Sequence, residues 1–174
     1  MNRDLTATQN DYAVFLPALS GFFATYVGKQ RFDEYVEKSR IPSNFTNGVE
    51  SLNYLNPKQG LFNYHFTLYS AGHAELDTNK HSPKEDMVRN RDRKNSWILG
   101  DSGGFQIGKG VWEGNWKDPN CPKAQKKREQ VLTWMDAYMD YGMILDIPAW
   151  VARSPAGQKA TGITSYQEAV NATR

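Results

Sequence analysis

Apolar positions along the chain follow two rhythms. In the first third the spacing is helical: Ser20 is placed to cap a helix through Val27, and Gly28 to end it. Phe32, Tyr35 and Val36 are spaced for one face of a second helix. The stretch from Ile41 to Gly60, rich in Asn, Pro and Gly, predicts loop and turns. Leu61 to Ser70 is aromatic and partly alternating, which predicts a strand, and His73 to Asn95 is polar enough for loop plus a short helix.

The second half alternates in kind. Trp97-Ile98-Leu99 is a brief apolar run that stops at Gly100-Asp101-Ser102-Gly103-Gly104, as a buried strand ending in a tight loop would. A long helix is predicted from Pro122 to Tyr141, with Pro122 at its first position and Gly142 just past its end. Val131, Leu132, Met135, Tyr138 and Met139 mark its apolar face. Met143-Ile144-Leu145 then predicts another short buried strand, tipped by Asp146. Strand, acid-tipped loop, helix, strand and acid-tipped loop make the βαβ unit of a parallel sheet. Ser165-Tyr166-Gln167-Glu168 has the form of a capping box. The helix it opens runs only to Arg174, which reads as an interrupted α/β chain.

Composition removes several classes. With 174 residues, 39% hydrophobic and 13% aromatic, the chain is too apolar for disorder. Its 21 basic and 19 acidic side chains leave +2, so no bulk field points to nucleic acid. Tyr12 to Gly28 is uncharged but only 17 residues long and interrupted by Pro17, Ser20, Gly21 and Thr25. A spanning helix needs roughly 20 apolar residues, so no membrane partner is expected and the location predicted is cytoplasmic. The single cysteine, Cys121, fits a reducing compartment, excludes a thiolate-rich metal site and sits where a helix starts, which explains it better than nucleophilic chemistry. His73 and His81 read as polar loop residues.

Gly-Asp-Ser-Gly-Gly at 100–104 matches the serine surroundings of trypsin-like proteases. That chemistry needs a histidine base, and His65, His73 and His81 lie in no matching context. An aspartate and serine ending a strand also serve as turn or cap residues. The longer run Asp101-Ser102-Gly103-Gly104-Phe105-Gln106, after an apolar strand, resembles the signature of the tRNA-guanine transglycosylase superfamily, whose members exchange a guanine in nucleic acid for a 7-deazaguanine. Asp146 at the end of a later apolar run fits a second feature of that family. Phe15-Leu16-Pro17-Ala18-Leu19-Ser20 and Tyr69-Ser70-Ala71-Gly72-His73-Ala74 look more like its DNA-modifying branch, in phage and bacteria, than its tRNA enzymes.

The resemblance implies an α/β fold, the (β/α)8 TIM barrel, of which residues 1–174 would be an apparently truncated N-terminal portion. Residues 1–60 would supply N-terminal helices and loops, and residues 61–174 the first barrel strands and helices. Such a barrel typically needs about 250 residues. By resemblance Asp101 is the catalytic acid/base, and Asp146 accepts hydrogen bonds from the purine N1–H and amine. Phe105 stacks on the base, Ser102 and Gln106 bond its edge, and Gly103 and Gly104 admit the backbone. Asp146 before Ile147-Pro148 is also open to reading as a strand-ending turn residue, with base recognition the favoured reading.

The family's nucleophilic aspartate lies on a later strand, and its tRNA enzymes hold zinc near the C-terminus. Nothing after Ile147 matches either, so no metal or cofactor is expected within this chain, and any family zinc would lie beyond Arg174. Exchange is expected to need more than these residues, such as a second polypeptide completing the barrel. A truncated base- or nucleic-acid-binding remnant is the rival expectation. DNA or tRNA and a 7-deazaguanine base are the implied partners. Lys84, Arg89, Arg91, Arg93 and Lys94, then Lys123, Lys126, Lys127 and Arg128, are either solvated faces or phosphate contacts. Trp112 and Trp116 either stack on extruded bases or close the barrel mouth.

Overall fold

The computed structural model describes residues 13–32 and 36–173. The first helix forms where a serine meets an apolar run: Ser20 Oγ accepts the Phe23 N–H at 3.1 Å and opens α1 (Gly21–Gly28). The second helix expected around Phe32 and Val36 is instead a 3-10 turn, Lys29–Phe32, and Tyr35 lies outside the described residues. Residues 41–60 are turns, as expected, around one 3-10 segment, Gly48–Leu52.

Three parallel strands follow in sheet order β1 (Phe66–Ser70), β2 (Trp97–Asp101) and β3 (Tyr141–Gly142). Pro17–Leu19 lies along the other side of β1, where Leu19 N donates to Leu68 O at 2.8 Å and Leu68 N to Pro17 O at 3.0 Å. The four extended segments thus sit side by side in chain order. Helices fill the connections: α2 (Pro83–Arg89), the short α3 (Gly104–Gly108) and the long α4 (Pro122–Tyr138). After β3 come a 3-10 turn (Ala149–Arg153), α5 (Pro155–Thr161) and α6 (Tyr166–Thr173). Among the described residues no helix is long and apolar enough to cross a membrane.

The core lies on one face of the sheet. Thr67, Tyr69 and Ile98 are buried there with Met87 and Val88 of α2 and Val131, Trp134 and Met135 of α4. A Cβ on Gly100 would stand 2.7 Å from Met139 Cγ, so the bare backbone lets α4 lie close on β2. The alternate residues Phe66, Leu68, Ser70, Trp97, Leu99 and Asp101 occupy the opposite face and are only half-buried.

Two local expectations need correction. On α4 the inward stripe is Val131, Trp134, Met135 and Tyr138, whereas Leu132 is 66% exposed. In place of the buried strand expected at Met143-Ile144-Leu145, a two-residue strand forms at Tyr141–Gly142, exposed as Met143 and Ile144 are. Asp140 causes the shift. Its carboxylate accepts Ile98 N–H at 2.8 Å and pairs with the buried Arg91 at 3.0 Å, while its own N–H donates to Ile98 O. Those contacts end α4 at Tyr138 and place Tyr141 and Gly142 opposite Leu99 and Gly100.

Beneath the sheet, Glu85 is fully buried and surrounded by donors. Glu75 N–H reaches Oε1 at 2.9 Å and Trp134 Nε1–H reaches Oε2 at 3.1 Å, with Arg89 Nε 3.9 Å away. Burial pushes the Glu85 carboxyl above its ordinary value, and these partners pull part of the way back. Burial also raises Glu50 and Asp86. A raised carboxyl holds its proton more tightly in the folded chain than in the unfolded one. Its favourable contribution is complete below about 4.5 and is lost as pH rises through the shifted value. Thermal unfolding followed from pH 4.5 upward should therefore show Glu85→Gln with a shallower decline than the parent. Its stability should also be lower throughout, because an amide N–H would face donors. Parallel pH profiles would remove Glu85 as a source of the slope.

Candidate functional site

Asp101 is the last residue of β2, and Ser70 is its register partner at the end of β1. The Ser70 hydroxyl donates to Asp101 Oδ2 at 2.5 Å and accepts the Gly72 N–H at 3.2 Å. Ala71 N–H continues the ladder onto Asp101 O at 2.8 Å. One carboxylate oxygen of a half-buried acid is thereby held at the C-terminal edge of the sheet.

The chain turns sharply after Asp101 because Gly103 adopts φ +78°, a left-handed conformation that disfavours other residues. A Cβ there would also lie 2.6 Å from the Trp112 ring and 2.9 Å from Gly72 N. Ser102, fully buried, donates from Oγ to Asp146 Oδ1 at 3.0 Å across 44 residues of sequence. Gly104 lies beneath the same acid: its Cβ would meet Asp146 O at 2.3 Å and Oδ1 at 2.9 Å. Asp146 itself is exposed. It stands on the extended segment beyond β3 and is positioned by Ser102 and Gly104, not by the strand expected to carry it.

Gln106 packs its amide against Gly72, where a Cβ would come within 2.2 Å of Cδ. Its Oε1 is buried and has no hydrogen-bond partner among the described residues, so a polar group stands unsatisfied beside the two acids' loops. Phe105 points outward at the rim and is 57% exposed. It lies 6.2 Å from the Trp150 ring at an interplanar angle of 58°.

The six-residue motif and Asp146 thus gather at one edge, with Phe105 on the outside. Three contributors were given no individual role by sequence: Ser70, Gly72 and Trp150. Pairing register exposes Ser70, since a serine opposite a strand-ending aspartate shares its face. Only tertiary packing exposes the other two. The protease reading fails on the hydrogen bond of Ser102, which goes to a carboxylate and not to a histidine.

The basic clusters differ in what their side chains touch. Arg91 pairs with Asp140, Arg89 is buried beside Glu85 with its guanidinium 4.6 Å from the Tyr138 ring centroid, and Lys84 lies near Glu75. Arg93 donates to Ala137 O at 2.7 Å. These four are engaged within the chain, Arg89 and Arg91 in its interior and Lys84 and Arg93 nearer the surface. In the second cluster Lys123 pairs with Glu113, while Lys127 and Arg128 lie over Trp112 and Trp116. Both of those indoles are buried and offer no open face to a base. Cys121 precedes α4, as expected, and backbone N–H groups of Ala124 and Asn115 hold its thiol below the usual range.

No group of three His, Cys, Asp or Glu side chains is arranged to hold a metal among the described residues. Comparison with protein-family models, curated proteins and solved structures finds no match to this chain.

Proposed function

We propose that this chain is the N-terminal part of a (β/α)8 barrel that exchanges guanine in DNA for a 7-deazaguanine, acting in the cytoplasm. The single observation that carries the reading is the Ser102–Asp146 hydrogen bond of 3.0 Å, which joins two separated motif elements beside Asp101. Extended segments laid side by side in chain order support it, because a barrel is wound that way and a doubly wound sheet reverses at a switch point. Both acids lie at C-terminal strand edges or just beyond, where barrel sites are built.

Each residue then has a task. Asp146, oriented by Ser102, accepts the guanine N1–H and exocyclic N–H, and Phe105 stacks on the purine. Gln106 bonds the base edge once its amide turns out from Gly72, and the bare backbone at Gly103-Gly104 lets the ring approach. Asp101, fixed by Ser70, moves the proton that makes guanine a competent leaving group. The carboxylate that would hold the sugar at C1′ comes from a further strand or a second polypeptide. The base must leave its stack to reach this edge.

Calorimetric titration of this chain with free bases tests the recognition half. Guanine and 7-deazaguanines should bind and adenine should not, since adenine turns a lone pair at N1 towards the carboxylate. Asp146→Asn should weaken guanine binding by about 2 kcal/mol, roughly thirtyfold. Equal binding of adenine, or indifference to Asp146→Asn, would overturn the assignment. With the barrel complete, label from guanine should enter DNA and be lost on Asp101→Asn; label entering tRNA alone would overturn the DNA preference.

A further inference from the structure

Besides Tyr138, which Arg89 and Arg93 overlay, rings overlaid by cations fall into two groups that differ in burial. Those at Trp112 and Trp116 are internal. A second set lies on the surface beside Phe105. Lys109 Nζ stands 5.5 Å from the Phe105 centroid and 5.7 Å from that of Trp150, which is 38% exposed. Trp150 is held in place: a Cβ on Gly108 would reach its ring at 2.6 Å, and its neighbour Val151 is fully buried.

Trp150 and Arg153 belong to the same 3-10 turn, Ala149–Arg153. With three residues per turn, positions i and i+3 eclipse, so both side chains rise on one side while Val151 points inward. Arg153 in turn lies 5.0 Å over the ring of Tyr166, which is 44% exposed at the start of α6. Phe105, Trp150 and Tyr166 therefore form a file of part-exposed rings, with Lys109 against the first two and Arg153 against the third.

Within the two segments that carry this file, every charged side chain is basic. Residues 102–112 contain Lys109 and no Asp or Glu; residues 147–167 contain Arg153 and Lys159 and again no Asp or Glu. Gly110 approaches Ala160, the neighbour of Lys159, so these two segments meet. The acids that adjoin these segments are each engaged: Asp101 by Ser70, Glu113 by Lys123 at 2.8 Å, Asp146 by Ser102 at 3.0 Å and Glu168 by Lys117 at 2.7 Å.

We propose that this file is a docking strip for single-stranded nucleic acid, with bases stacking on Trp150 and Tyr166 and phosphates meeting Lys109, Arg153 and Lys159. Aromatic faces serve any base, and interleaved cations follow the backbone, which is how unpaired strands are held without sequence preference. The strip rests on the guanine-exchange reading only in leaving Phe105 for the target base; the strand contacts stand on their own geometry.

Fluorescence anisotropy of a short labelled oligo-dT, with the full chain, gives the test. Trp150→Leu, which keeps apolar packing on Gly108, and Tyr166→Leu should each weaken binding roughly tenfold. Lys109→Ala with Arg153→Ala should lower the slope of log affinity against log salt by about one to two. Melting temperatures confirm folding of each variant. Tyr166→Leu should leave free-guanine binding unchanged. Oligonucleotide affinity indifferent to both aromatic changes, or duplex bound as tightly as single strand, overturns the strip. Strip-dependent strand binding without guanine selectivity would overturn the guanine reading and leave the strip standing. Guanine selectivity with strip-independent strand binding would do the reverse.

Discussion

Trp134→Ala is expected to remove about 3–5 kcal/mol of folding stability, the range for deleting a buried large aromatic. Trp134 is fully buried, packs its ring 5.9 Å from Tyr69 of β1 and donates its indole N–H to Glu85. Alanine would open a cavity between sheet and helices and leave a buried carboxyl with one donor fewer. Both effects have the same sign. Because domains of this size retain only about 5–15 kcal/mol, the variant should be near the limit of folding. Urea unfolding of the parent, Trp134→Ala and Trp134→Phe would separate the contributions. Phenylalanine should restore much of the packing but not the hydrogen bond, and so fall between. A loss under about 1 kcal/mol for alanine would show that Trp134 does not anchor the helical layer.

The second large effect is on the site. Gly104→Ala places a methyl group 2.3 Å from the Asp146 carbonyl oxygen and 2.9 Å from Oδ1, too close for any real contact. The segment carrying Asp146 must retreat by about 1 Å, which should cost guanine affinity on the order of the thirtyfold expected for Asp146→Asn. Helix propensity alone predicts the opposite sign for stability, since alanine favours a helix over glycine by about 1 kcal/mol. Free-guanine titration and thermal unfolding, run together, distinguish the two. Guanine affinity should collapse whatever happens to the melting temperature. An unchanged affinity would mean that the closeness of Gly104 to Asp146 has no bearing on base recognition.

What could be read along the chain was local. Ser20, Pro122 and the 100–104 turn announce themselves because capping and left-handed turns depend on a few adjacent residues. The parallel order of the sheet was legible as well, since a strand, a long helix and a second strand close in only one common way. What failed was rotation and register. Leu132 and Trp134 are two residues apart on α4, and periodicity alone did not decide which faces inward. Asp140 displaced the third strand through contacts with Arg91 and Ile98, which are 49 and 42 residues away.

The same division runs through the site. The residue types at 101–106 and 146 suggested base chemistry from sequence and resemblance alone. The pairing of Ser102 with Asp146, the clamp of Ser70 on Asp101 and the fit of Gly104 under Asp146 depend on how the strand edges meet. Burial, too, was decided by the fold: Arg91 and Trp116 belong to the interior, while Trp150 and Tyr166 remain at the surface. Local sequence determined which elements form and which chemical groups they carry, because hydrogen bonding and backbone conformation are set within a few residues. Tertiary structure decided which groups meet and which see water, because contacts across tens of residues depend on packing the whole layer at once.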